Sequence, residues 1–133
     1  PSGRPLLYLP CPGGHLKFHI LPDPVSGMFW LVSNQATDSM TRPDRLPPDR
    51  YNLPNNERHR LALYFSKNAV DWCFAGLAAD TEHADQARNY PSMVIDGADL
   101  HTLARSGGPA AKNAHDGNMI TLHTVQDFRR LIY

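Results

Sequence analysis

Ser92-Met93-Val94-Ile95-Asp96-Gly97-Ala98-Asp99-Leu100-His101-Thr102-Leu103-Ala104-Arg105 reads as a hairpin: an apolar strand, a tight Asp-Gly turn, and a second strand from Leu100 to Arg105. Downstream come a polar stretch from Ser106 to Gly117, a third strand at Met119-Ile120-Thr121-Leu122-His123, and a last one at Arg130-Leu131-Ile132-Tyr133. Upstream, a short Ala-rich segment from Thr81 to Arg88 is the one helical candidate.

The first half of the chain has the same order. His15-Leu16-Lys17-Phe18-His19-Ile20 alternates, with His15, Lys17 and His19 on one side and Leu16, Phe18 and Ile20 on the other, as in a half-buried strand. A turn-rich connector from Leu21 to Gly27 leads into Met28-Phe29-Trp30-Leu31-Val32, which is apolar on both faces and suits a strand packed between layers. A long polar stretch from Asn34 to His59 precedes strands at Arg60 to Phe65 and Trp72 to Leu77. Strand, short turn, strand, long loop, strand, short turn, strand thus occurs twice, at a spacing of ~60 residues. This predicts an all-β chain of antiparallel four-stranded β-propeller blades, one over about 14–78 and the next over about 90–133. Leu6-Leu7-Tyr8-Leu9, within 5–9, reads as an outer strand from or to a neighbouring blade.

Composition is compatible with this reading and narrows the partners. The 133 residues, 41% of them hydrophobic, suit one partial-propeller domain over 1–133 with a core of its own. Thirteen basic residues balance thirteen acidic ones, so no basic field favours nucleic acid or an anionic membrane, and neither is expected as a partner. No apolar stretch is long enough to span a bilayer. Cys11 and Cys73 form no CxxC pair and read as two unpaired, buried thiols. The chain opens without Met and without a signal peptide, which leaves its compartment open.

Loop length assigns the functional end. In a four-stranded antiparallel blade, the first and third turns lie at one end and the remaining connections at the other. All the short connections (21–27, 66–71, 96–99, 124–127) share one end, and the long polar ones (34–59, 79–89, 106–117) share the opposite end. Long connections on a rigid scaffold tend to carry binding residues, so the second end is the expected binding face.

Ser66-Lys67-Asn68-Ala69-Val70-Asp71-Trp72 resembles the Asp-box turn of sialidases and related propellers, with Asn68 and Ala69 where Asp and Gly are usual; Asp127-Phe128 is a shorter echo. Tyr90 to Arg105 resembles the inner hairpin of a sialidase-family blade. Asn113 to His123, followed by Asp127-Phe128-Arg129, is similar to the blade completion of exo-sialidase-like proteins. The resemblance runs from about Gly14 to the C-terminus and covers two blades, fewer than a closed ring needs.

Sialidases hold a substrate carboxylate with arginines and use a carboxylate-activated tyrosine as nucleophile. The resemblance therefore implies a carbohydrate ligand and singles out Tyr90 at the start of the inner strand; the alternative is an anchoring tyrosine. Arg105 ends the second strand at the binding end, where its guanidinium fork suits a carboxylate or an ion pair with a loop. Arg58 and Arg60 lie at the same end, with Glu57 available as an ion-pair partner. His115, Asp116 and Asn118 suit ligand contact or loop bracing, and Lys17 suits contact with a sugar oxygen. His15 and His19 lack a third ligand at metal spacing, so neither metal nor other cofactor is expected. Trp30, within an apolar run, is expected in the core rather than as a stacking platform.

Two functions follow: a sialidase-like glycoside hydrolase acting on terminal sugars, or a non-catalytic carbohydrate-binding or self-assembling module. Two blades are too few to carry a full arginine triad, an acid/base aspartate and the nucleophile's partner. They also leave sheet faces uncovered, so assembly into a homo-oligomer is expected.

Overall fold

The computed structural model describes residues 3, 5, 8–36, 42–47, 57–81 and 86–133. Seven strands are found among them: β1 (His19–Asp23), β2 (Met28–Asn34), β3 (Leu61–Ser66), β4 (Cys73–Ala79), β5 (Ala87–Asp96), β6 (Asp99–Gly107) and β7 (Met119–Val125). They form a four-stranded sheet, β1-β2-β3-β4, and a three-stranded sheet, β5-β6-β7, with antiparallel pairing throughout. The chain is therefore all-β, as expected.

Alternation along the strands decides which faces meet. Trp30, Val32, Leu61, Leu63 and Phe65 from the first sheet share one core with Met93, Leu100 and Ala104 from the second. Phe128 completes this core, its ring edge-on to Trp30 with centroids 4.9 Å apart, while Phe65 stands 5.8 Å from Trp30 on another side. Burial of each such ring stabilises the stack by about 2–3 kcal/mol, before any gain from edge-on geometry.

Polar clamps hold the two ends of this core. At the short-turn end, both oxygens of Asp23 accept hydrogen bonds from Arg129, from Nε at 2.7 Å and Nη2 at 2.9 Å. The same carboxylate accepts the Val25 and Ser26 backbone N–H groups, so it shapes its own turn while holding the second sheet. At the long-loop end, Asn34 Nδ2 donates to the carbonyls of Arg60 (3.2 Å) and Arg88 (2.7 Å). Between these, the Met93 N–H of β5 donates to Nδ1 of His19 at 2.7 Å.

The turn from Ser66 to Trp72 is held by its own side chains. Asn68 Oδ1 accepts the N–H groups of Val70 and Asp71, both at 2.9 Å, and Ser66 Oγ accepts that of Asn68. Ala69 adopts φ +57°, a left-handed conformation that glycine takes without steric cost.

The outer faces of the two sheets differ. Ser33 Oγ donates to the Pro12 carbonyl, the Gly14 N–H donates to that of Asn34, and Leu31, Ser33 and Ala62 are buried. The approach is close enough to require glycine at position 13, where a Cβ would stand 2.5 Å from Ser33 Oγ at φ +116°. The segment from Cys11 to Gly14 thus roofs the middle of the first sheet, whereas on the outer face of the second sheet four aliphatic side chains stand in solvent.

Several local expectations are corrected. The first strand begins at His19, not His15, so Lys17 lies outside it; His19 faces the second sheet and Phe18 is exposed. Arg130–Tyr133 is not a fourth strand: Phe128–Leu131 is a short 3-10 turn, because burying Phe128 beneath Trp30 draws the chain inward. The helical candidate fails at its C-terminal end, where Ala87 and Arg88 start β5; residues 82–85 lie outside the described ones. Of the 5–9 strand, residues 6 and 7 lie outside the described ones, and Tyr8 and Leu9 are exposed and in no strand. Cys11 and Cys73 are free, as expected, but exposed rather than buried.

Candidate functional site

Tyr90 lies at the long-loop end, in a bulge that its own neighbours create. The β5–β6 register slips between Asn89 and Ser92, leaving Tyr90 and Pro91 without partners on β6. Proline has no N–H to give the ladder, so a bulge is where it fits. The residue before proline is normally extended, yet Tyr90 has φ +50°. Strain of this kind, roughly 1–3 kcal/mol, persists where surrounding structure enforces it and gathers at functional sites.

Three cations surround the Tyr90 ring. Arg58 Cζ is 5.3 Å from its centroid, Arg105 Cζ 5.7 Å and Lys17 Nζ 5.7 Å. They come from three separate parts of the chain. Arg58 is buried and its backbone is fixed by the Arg88 N–H, which donates to the Arg58 carbonyl at 2.8 Å; His59 Nδ1 lies 3.2 Å from the Gln86 carbonyl. Arg105 lies on β6 opposite Asn89 of β5 and Ile120 of β7. Lys17 reaches the ring from the segment leading into β1.

This surrounding charge changes the phenol. A hydrogen bond with Arg58 lowers the Tyr90 pKa below its ordinary value, the charges of Arg58, Arg105 and Lys17 add to that, and partial burial opposes it. Tyr64, on the outer face of the first sheet, is its converse: burial pushes its phenol up, with the Cys11 thiolate charge adding to the rise. The Tyr90 phenol thus gives up its proton more readily than that of Tyr64.

The 106–118 loop supports Arg105 from one side. A Cβ at Gly117 would stand 3.1 Å from Arg105 Cγ and 2.8 Å from the Ser106 carbonyl, so the loop passes tightly against this side chain only because the position is glycine. Asn118 closes the loop, its N–H donating to the Ser106 carbonyl and its Oδ1 accepting the Gly108 N–H, both at 3.0 Å. His115 and Asp116 are engaged with Asn113: Asn113 Oδ1 accepts both of their backbone N–H groups, and Asp116 accepts from Asn113 Nδ2. The His115 ring beside Asp116 Oδ1 at 3.0 Å lowers the Asp116 carboxyl pKa, with Asn113 adding to the effect. These bonds are those of a braced, exposed loop.

The residues named from the sequence therefore separate into two groups. Tyr90, Arg58, Arg105 and Lys17 converge, while His115, Asp116 and Asn118 shape the loop behind Arg105. Arg60, named with Arg58, points elsewhere and pairs with Asp80 at 3.2 Å. Asn89 was not foreseen. It is fully buried beside Tyr90, and neither its Nδ2 nor its Oδ1 finds a hydrogen-bond partner among the described residues. Its signal in the sequence is faint, a polar residue two before a strand-interrupting proline. Set against known proteins, the chain matches no family model, no curated protein and no solved structure.

Proposed function

We propose that the long-loop end of the stacked sheets binds the carboxylate of an acidic sugar at a glycan terminus, and that the two sheets are blades of a sialidase-like propeller. The observation that carries this reading is the gathering of Arg58, Arg105 and Lys17 around one tyrosine. Arg105 and Lys17 stand at the same ring as Arg58, and an anion held among them is attracted by all three charges. Guanidinium groups suit a carboxylate because their donors form a planar fork. The resemblance of Tyr90 to Arg105 to a sialidase hairpin supports a sugar as the bearer of that carboxylate.

The test is calorimetric titration with N-acetylneuraminic acid against neutral galactose. The acidic sugar is expected to bind and galactose not to, with Arg105→Ala weakening binding by about tenfold or more. Equal binding of the two sugars, or binding indifferent to Arg105→Ala and Arg58→Ala, refutes the reading.

The Arg58 guanidinium beside Tyr90 favours a second, hydrolytic reading, because it lowers the phenol's pKa and so raises the share of phenolate available for attack on an anomeric carbon. In this reading Tyr90→Phe abolishes release of an aryl leaving group from an aryl sialoside while sugar binding persists. Binding without turnover by the parent chain leaves the carbohydrate-binding module alone standing.

A further inference from the structure

The outer face of the second sheet carries a continuous apolar stripe. Leu103 on β6 stands directly opposite Leu122 on β7, Ile120 lies two residues before Leu122, and Val94 on β5 is next to Leu103 on the other diagonal. All four point away from the shared core and are half or more exposed: Val94 58%, Leu103 50%, Ile120 67% and Leu122 62%. Isolated exposed aliphatic residues are ordinary, but four adjacent ones across three strands form an association surface.

The charges at the two ends of this face are opposite in sign. Arg105 closes the stripe at the long-loop end, and Asp96 closes β5 at the short-turn end, with Asp99 and Asp127 beside it. The strand that borders the stripe, β7, contains no Lys, Arg, Asp, Glu or Pro, the residues that commonly protect a sheet edge from another chain.

We infer that this face packs against the same face of a second copy of the chain, about a two-fold axis lying across the strands. A two-fold axis makes the stripe its own partner. Setting the axis across the strands, rather than along them, lays the Arg105 end of each sheet over the Asp96 end of the other. An axis along the strands stacks like charge on like. Charge therefore selects one of the two arrangements that shape alone allows.

Sedimentation velocity across a micromolar concentration series tests this with the full chain. The parent is expected to shift from monomer to dimer as concentration rises. Leu122→Asp and Leu103→Asp, both at exposed positions and checked for folding by circular dichroism, are each expected to weaken the dimer by about tenfold or more. Val25→Asp, on the exposed turn between β1 and β2, is expected to leave it unchanged. A parent that stays monomeric at 100 micromolar, on the order of the weakest association of interest, overturns the inference. So does a dimer that the stripe variants do not weaken. Asp96→Lys tests the orientation: it is expected to weaken the dimer and to blunt its response to salt, and full-strength association by this variant refutes the crossed axis.

Discussion

The two ends of the sheet stack manage charge in opposite ways. At the short-turn end, the buried carboxylate of Asp23 meets a guanidinium with two-pronged geometry, and its remaining capacity is used by the turn it caps. At the long-loop end, Arg58, Arg105 and Lys17 surround a tyrosine held in a strained conformation, and Asn89 is buried with its amide unpartnered among the described residues. The first arrangement satisfies itself and stabilises the fold. The second gathers three cations at one ring and leaves the Asn89 amide without a partner among the described residues. The contrast marks the short-turn end as structural and the long-loop end as the one to which the proposed recognition is assigned.

Removing what the ends share produces the largest effect. Phe128 fills the core beneath Trp30, and Phe128→Ala is expected to lower stability by roughly 3–5 kcal/mol in urea unfolding, loosening both ends together. Next comes the short-turn clamp alone. Arg129 holds the Asp23 carboxyl far below the usual carboxylate range, with Ser26 and Val25 helping against the opposing effect of burial. A carboxyl with a lower pKa folded than unfolded contributes stability above its unfolded value of about 4 and loses that contribution as pH falls below it. Asp23→Asn is therefore expected to melt roughly 5–15 °C below the parent at pH 7, with the gap narrowing steadily below about pH 4. A gap that stays constant into acid removes the clamp from the comparison.

At the long-loop end the expected changes are spectroscopic. Absorbance titration of the phenols is expected to show Tyr90 ionising before Tyr64, and Arg58→Gln is expected to move the early step upward because the hydrogen bond and the nearest charge are both lost. An early step unchanged by Arg58→Gln breaks the assignment. The smallest effect belongs to the turn between β3 and β4: Ala69→Gly relieves the positive φ and is expected to raise stability by less than about 1 kcal/mol.

The features visible in the sequence were those set by near neighbours. The 92–105 hairpin follows from alternation and an Asp-Gly turn, and the Asn68 turn from a polar side chain two and three residues from the N–H groups it bonds. Long-range features were not visible in this way. Nothing near Asp23 points to Arg129, 106 residues away, and nothing near Arg130 shows that Phe128 anchors a turn where Leu131-Ile132-Tyr133 suggests a strand. Loop lengths place Arg58, Arg105 and Lys17 at one end, and the sialidase resemblance singles out Tyr90 there. Their convergence on a single ring was not legible, since it depends on the bulge at Tyr90-Pro91, which alternation alone does not reveal.

The stretch from Cys11 to Gly14 lying across the first sheet has a consequence for stoichiometry. A stack of sheets with two sticky faces is divalent and can add molecules at both, giving ladders without a fixed length. Here Pro12 and Gly13 occupy the middle of one face from within the same chain, which leaves a second partner only its β4 edge, where Phe74 and Leu77 are exposed. A monovalent particle stops growing once it has found one mate. If the proposed pairing holds, opening that roof, for instance with Gly13→Val, is expected to turn a self-limiting pair into a particle able to polymerise.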